Sequence, residues 1–113
     1  MSDCVFCKIA AGEIPAKLLH EDDSCVAFAD LNPQAPTHLL VIPKAHLRGL
    51  SDPAADEAVF GHLLAVAAKL AGDQGALPGG YRVVTNTGPD AGQSVDHLHL
   101  HVLAGRRMAW PPG

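Results

Sequence analysis

His97-Leu98-His99-Leu100-His101-Val102-Leu103 lies ten residues from the end of the chain and alternates strictly between imidazole and aliphatic side chains. A β-strand has a period of two, so one face carries Leu98, Leu100 and Val102 while the other carries three histidines. The aliphatic face belongs in a core. A row of three imidazoles packs poorly, because each ring brings a donor and an acceptor that need partners. One histidine there would read as the polar outside of an edge strand. Three in register, entered from a glycine-rich loop, read as chemistry. Two forms of chemistry fit the row: alternating rings ligating a metal, or a central nucleophile or general base whose neighbours hold a substrate.

The loop in front of the row, Asn86-Thr87-Gly88-Pro89-Asp90-Ala91-Gly92-Gln93-Ser94, supplies small and flexible residues. Gly88, Gly92, Gln93 and Ser94 offer backbone amides and a hydroxyl, and concave runs of amides favour anions. Further upstream the chain reads as short strands and one strong helix. Lys17–Glu21 and Cys25–Ala29 flank the polar turn Asp22-Asp23-Ser24 and form a hairpin. His38–Ile42 is a continuous apolar strand closed by Pro43. Val59, Leu63, Val66 and Leu70 recur at helical spacing, with Ser51 or Asp52 as cap, Pro53 in the first turn and Gly72 as the stop. Tyr81–Thr85 is a fourth strand and His97–Leu103 the fifth. A short helix within Asp3–Gly12 precedes them all. Closely spaced strands with one main helix imply an α+β fold.

Bulk composition narrows the function. A chain of 113 residues fits one domain, since domains cluster near ~100–150 residues, and 48% apolar content is enough for a core. The net charge of −4, with eight scattered Lys and Arg, argues against a nucleic-acid binder that neutralises phosphates with a basic stripe. No apolar run approaches the ~18 residues of a membrane span. With three cysteines and no export signal a disulfide framework is not expected, and the cytoplasm is the expected compartment.

The histidine row resembles the His-apolar-His-apolar-His-apolar-apolar signature of the histidine triad (HIT) superfamily. The likeness extends to Ile14-Pro15-Ala16-Lys17, Asn32-Pro33-Gln34-Ala35-Pro36-Thr37-His38, Val41-Ile42-Pro43-Lys44, Gly92-Gln93-Ser94-Val95 and Trp110-Pro111-Pro112-Gly113. These segments are similar to the histidine triad nucleotide-binding proteins, the purine nucleoside phosphoramidase branch. The resemblance implies a single domain over 1–113, built as a five-stranded antiparallel sheet that extends across a homodimer. It implies hydrolysis of adenosine or guanosine 5′-phosphoramidates to nucleotide and amine, with no cofactor for catalysis. By motif position His99 resembles the nucleophile that becomes nucleotidylated. His101 and His38 match positions flanking the phosphate, and Ser94 lies near the leaving group. Asp30 matches the ribose-binding carboxylate. Asn86, Gln93, Ser94 and Val95 match the rest of the phosphate cradle, and Val5, Phe6, Ile9, Phe28 and Leu31 the purine slot. Trp110 lies in a tail that reaches toward the partner subunit. Asp96 and Ala109 depart from the aromatic and polar residues common at those positions, which leaves the preferred amine open.

Cys4-Val5-Phe6-Cys7 is a C-x₂-C pair that needs two more ligands to close a zinc site, with His46 and His97 as the candidates. Similar microbial members use such a set for structural zinc, so the resemblance implies Cys4, Cys7, His46 and His97 as ligands and takes His97 out of catalysis. Cys25 reads as a small core residue, and His20 and His62 as ordinary histidines. Rival readings are a dinucleoside polyphosphate hydrolase or nucleotidyltransferase on the same scaffold, metal-dependent hydrolysis by the His row, and a nucleotide- or zinc-binding interaction module.

Overall fold

The computed structural model describes residues 3–113. Its elements follow the order α1 (Val5–Ala10), β1 (Leu18–Glu21), β2 (Cys25–Ala29), β3 (Thr37–Pro43), α2 (Glu57–Asp73), β4 (Tyr81–Val84) and β5 (Leu100–Ala104). All strand pairs are antiparallel, in the order β1-β2-β3-β5-β4. The expected α+β architecture of five strands, one main helix and a short N-terminal helix is the one observed.

The alternation in the sequence becomes a two-sided sheet. Leu98, Leu100 and Val102 join Cys25, Ala27, Leu39 and Val41 in a core beneath α2, whose buried stripe is Leu63, Val66, Ala67, Leu70 and Ala71. Val26, Phe28, Leu40 and Ile42 point the other way and meet Phe6 of α1. Because α1 is only six residues long, it covers part of that face and leaves the remainder as an open cleft. The cleft is where His99 and His101 lie.

Strands β1, β3 and β4 differ from expectation by one residue at one end or both, and the larger differences are in β5 and α2. The fifth strand begins at Leu100, not His97, because its ladder with β3 ends at the pair Val41–Leu100. Before that point the His97 ring, not a backbone amide, bonds the Pro43 carbonyl at 2.9 Å, and Leu98 N–H goes to the Leu47 carbonyl. The facing alternation persists through this irregular stretch, so the reading of the two faces survives. The main helix starts at Glu57 with Asp56 as its cap, bonding Val59 N–H at 3.0 Å. Asp52 is occupied instead with the amides of Arg48 and Ala54. Its end falls after Gly72, and Gly75 at φ +76° follows the C-cap Gln74.

Gly105 ends β5 at φ +93°, and a Cβ there would lie 2.8 Å from Pro36 Cβ. An alanine would meet both left-handed strain and a backbone-anchored ring. Gly105→Ala is expected to cost about 2–4 kcal/mol, read as a lower midpoint in urea titration at unchanged slope. No loss would mean that the Pro33–Pro36 loop yields freely.

Candidate active site and metal centre

The cleft beside α1 has a volume of about 450 Å³ and is lined by Val5, Phe6, Ile9, Phe28, Leu31, Asp30, Ser94, Val95, His99 and His101, together with Ile14, Pro15, Ala16, Lys17, Ala29 and Leu40. Its size falls within the ~300–1,000 Å³ of ordinary ligand pockets. Most of the lining is apolar, with Asp30 on one side and the histidines and Ser94 on another. That arrangement suits a flat apolar group carrying a polar, charged end.

The backbone fixes the tautomer of each ring. His99 is buried, and its Nδ1 lies 2.6 Å from the His97 carbonyl. A carbonyl only accepts, so Nδ1 carries the proton and Nε2 keeps its lone pair. Thr85 Oγ1 donates to the His99 carbonyl at 2.9 Å, and the Phe6 ring meets His99 edge-on at 5.1 Å. The His99 residue is therefore held from three directions.

His101 is set by a chain of donors. Gln34 N–H donates to His38 Nδ1 at 2.9 Å, which places the His38 proton on Nε2. That nitrogen donates to His101 Nδ1 at 2.8 Å, with Asp30 Oδ2 a further 3.3 Å neighbour. His101 must then carry its proton on Nε2, as a donor in the cleft. Burial lowers its pKa, the charges of His99 and His38 lower it further, and Asp30 works in the other direction. The ring is kept as a neutral N–H donor. The rings of His99 and His101 stand 5.0 Å apart.

Four predicted residues stand outside the cleft wall. His38 is buried behind His101 and bonds its Nδ1. Gln93 braces the loop, accepting from Gly88 N–H and donating to the Arg48 and Val95 carbonyls. Asn86, two residues beyond β4, does not line the cleft. Trp110 is exposed on the tail. The structure adds Lys17, Leu40 and Thr85, which the sequence reading did not single out. Lys17 belongs to the quoted Ile14–Lys17 motif. Leu40 and Thr85 had no signal beyond their strands.

His97 faces a different group. Its Nδ1 lies 3.3 Å from Cys4 Sγ and 3.5 Å from Cys7 Sγ, and His46 Nδ1 lies 3.1 Å from Cys7 Sγ. All four donor atoms fall within 4.8 Å of one another. A tetrahedral zinc with Zn–S near ~2.3 Å and Zn–N near ~2.0 Å sets S···N separations of about 3.5 Å. The four residues fit the ion. His97 Nε2–H donates to the Pro43 carbonyl, so Nδ1 is the unprotonated nitrogen a metal requires. Burial lowers the His97 pKa, which also favours the neutral ligand. An ion here would tie α1 to the segment after β3 and to the start of the histidine row.

Fold and site together define a protein with one imidazole lone pair and one imidazole N–H donor on the floor of an apolar cleft. Residues 11–108 match the HIT domain, and the chain belongs to the HIT family. It is 52% identical over 112 residues to an uncharacterised HIT-like protein of Synechococcus elongatus, covering 98% of this chain and 97% of the relative. It is 50% identical over 117 residues to the 14 kDa zinc-binding protein of Zea mays, covering 99% and 89%. The crystal structure of a HIT family hydrolase from Legionella pneumophila superposes with a TM-score of 0.93 at 50% identity, covering 98% of this chain and 100% of that one. Among the described residues no helix is long and apolar enough to cross a membrane.

Proposed function

We propose that the protein hydrolyses purine nucleoside 5′-phosphoramidates through a nucleotidyl-His99 intermediate, as the nucleotide-binding branch of the family does. The observation that carries this reading is the His97 carbonyl bonded to His99 Nδ1. It leaves one imidazole nitrogen with a lone pair in the cleft, beside the donor His101 and the Ser94 hydroxyl.

In the first displacement the Nε2 lone pair attacks the α-phosphorus while the P–N bond breaks. The amine leaves with a proton from the Ser94 hydroxyl. In the second, water attacks phosphorus, the bond to Nε2 breaks, Ser94 recovers a proton from that water, and the nucleoside monophosphate departs. Two displacements at one histidine replace a single difficult hydrolysis. His101 Nε2–H stabilises the phosphoryl oxygens as they gain charge, and costs no reorganisation because His38 already holds it. Asp30 takes the ribose hydroxyls, and Phe6, Phe28, Ile9, Val5 and Leu31 take the purine. The loop held by Gln93 presents the Ser94 and Val95 amides.

The same proposal gives zinc at Cys4, Cys7, His46 and His97 a structural part, one domain over 1–113, and a homodimer. Support for the dimer is the outer edge of β4 together with the exposed apolar Tyr81, Leu64 and Leu77. Trp110 in such a dimer would serve the partner's cleft.

AMP release from adenosine 5′-phosphoramidate in the presence of EDTA tests the reading. Turnover at the same rate with and without chelator is expected. Binding of AMP without turnover would shift the protein to an interaction module, and turnover of diadenosine polyphosphate alone would shift it to an anhydride hydrolase.

A further inference from the structure

Away from the cleft, the hairpin turn and α2 bring three donor side chains to one carboxylate oxygen. Asp22 Oδ2 receives His20 Nε2 at 2.7 Å, His62 Nε2 at 2.7 Å and the Cys25 thiol at 3.4 Å. The other oxygen, Oδ1, accepts the backbone amides of Ser24 and Cys25 at 2.7 and 2.9 Å. The backbone thus fixes the carboxylate and aims a single oxygen at the cluster. An ion pair needs one partner. Here two imidazoles and a buried thiol converge on one atom from β1, β2 and α2.

We propose that His20, Asp22, Cys25 and His62 form a second site for a divalent first-row transition metal of the Zn²⁺ kind. The ligand atoms of His20, Asp22 and Cys25 already lie within 4.8 Å of one another. His62, exposed on α2, touches the same oxygen and is free to turn in as the fourth. Sulfur and imidazole nitrogen are the donors that zinc selects, and four such ligands make a closed tetrahedral set. The charges balance as well: a carboxylate, a thiolate and two neutral imidazoles neutralise a dication. Binding breaks the three hydrogen bonds to Oδ2, shifts the His20 and His62 ring protons from Nε2 to Nδ1 so that each Nε2 offers its lone pair, and releases the Cys25 thiol proton to solvent. The ligands then spread to the ~3.3–3.7 Å separations of a tetrahedron with zinc-type bond lengths.

In the metal-free arrangement the thiol is held protonated. Burial, then the Asp22 charge and hydrogen bond, push the Cys25 pKa up to about 12. Burial works against charge on Asp22, but the bonds from His20, Ser24, His62 and Cys25 outweigh it and hold its carboxyl well below the usual range. Uptake is therefore coupled to proton release and favoured as pH rises.

The test is the zinc content of the full-length protein after incubation with excess Zn²⁺ and desalting, compared with a His20→Ala/His62→Ala variant. One equivalent fewer in the variant is expected, whatever the occupancy of Cys4, Cys7, His46 and His97. Equal content in the two folded proteins would overturn the site. His62→Gln alone, at a solvent-facing helix position, is expected to weaken the second equivalent on the order of 100-fold, the upper end of the 10–100-fold typical of outer-shell partners. Imidazole ¹⁵N shifts of the wild type provide a readout that no folding defect can confuse. Zn²⁺ should move both His20 and His62, and rings that stay in place through saturation would refute the proposal.

Discussion

His99→Ala is expected to lower kcat for adenosine 5′-phosphoramidate on the order of 10⁴-fold or more, while AMP binding measured by calorimetry stays within a few-fold. Loss of a covalent nucleophile removes the whole two-step route, and enzymes deprived of one fall to what binding and oxyanion contacts alone provide. On the proposed reading binding survives, because the groups assigned to the nucleotide are elsewhere. Asp30 directly follows β2, the apolar part of the cleft is built from α1 and Phe28, and His101 is fixed by His38 and Gln34. His99 adds only its ring edge against Phe6. A mass increment of one nucleotidyl group should be trapped on alkali-quenched wild type, where the P–N bond survives, and be absent from the variant. A variant that kept even a tenth of the rate would transfer the nucleophile's role to another group, with His101 the next candidate.

The sequence carried this site further than it carried the strand that holds it. Alternation depends only on which face each side chain takes, and Leu98, Leu100 and Val102 keep one face even where the ladder has stopped. Ladder length depends on the partner strand, and β3 pairs β5 only as far as Val41. No pattern inside His97–Leu103 reports that. The helix start failed for a similar reason. Asp52 and Asp56 both have the chemistry of a cap, and the choice is made by Arg48 and Ala54 drawing Asp52 into the preceding turn. Around the cleft, side chains recognised as polar lie at different depths, two of them behind its wall. Gln93 spends both ends of its amide on the loop, and His38 acts behind His101. Both are positioning roles that a motif does not distinguish from contact. His20 and His62 had no signal at all, because a separation of forty residues between His62 and Asp22 becomes a 2.7 Å contact only after α2 packs on the sheet.

Cys4→Ser should destabilise the zinc-loaded protein by about 3 kcal/mol, a loss of roughly 10–15 °C in Tm for a domain of this size, and leave kcat within tenfold of wild type. Serine is a good helix cap, so the hydroxyl can replace Cys4 Sγ as acceptor for Cys7 N–H. What it cannot replace is the thiolate ligand. The measured loss therefore reports the metal and not the start of α1. The same loss should appear when wild type is stripped with a chelator, and stripping should do little more to the variant. Added Zn²⁺ should restore the wild type's Tm, following the logarithm of free metal over its dissociation constant. Catalysis is spared because His97 has two anchors besides the ion. Its Nε2–H is bonded to Pro43, and Phe6 meets the ring edge-on at 5.8 Å. While those hold, the His97 carbonyl still orients His99. A Tm that is the same in variant, stripped and loaded protein would remove zinc from Cys4, Cys7, His46 and His97. A kcat that collapsed along with stability would mean instead that the ion, acting through the His97 carbonyl, is what keeps His99 Nε2 aimed at phosphorus.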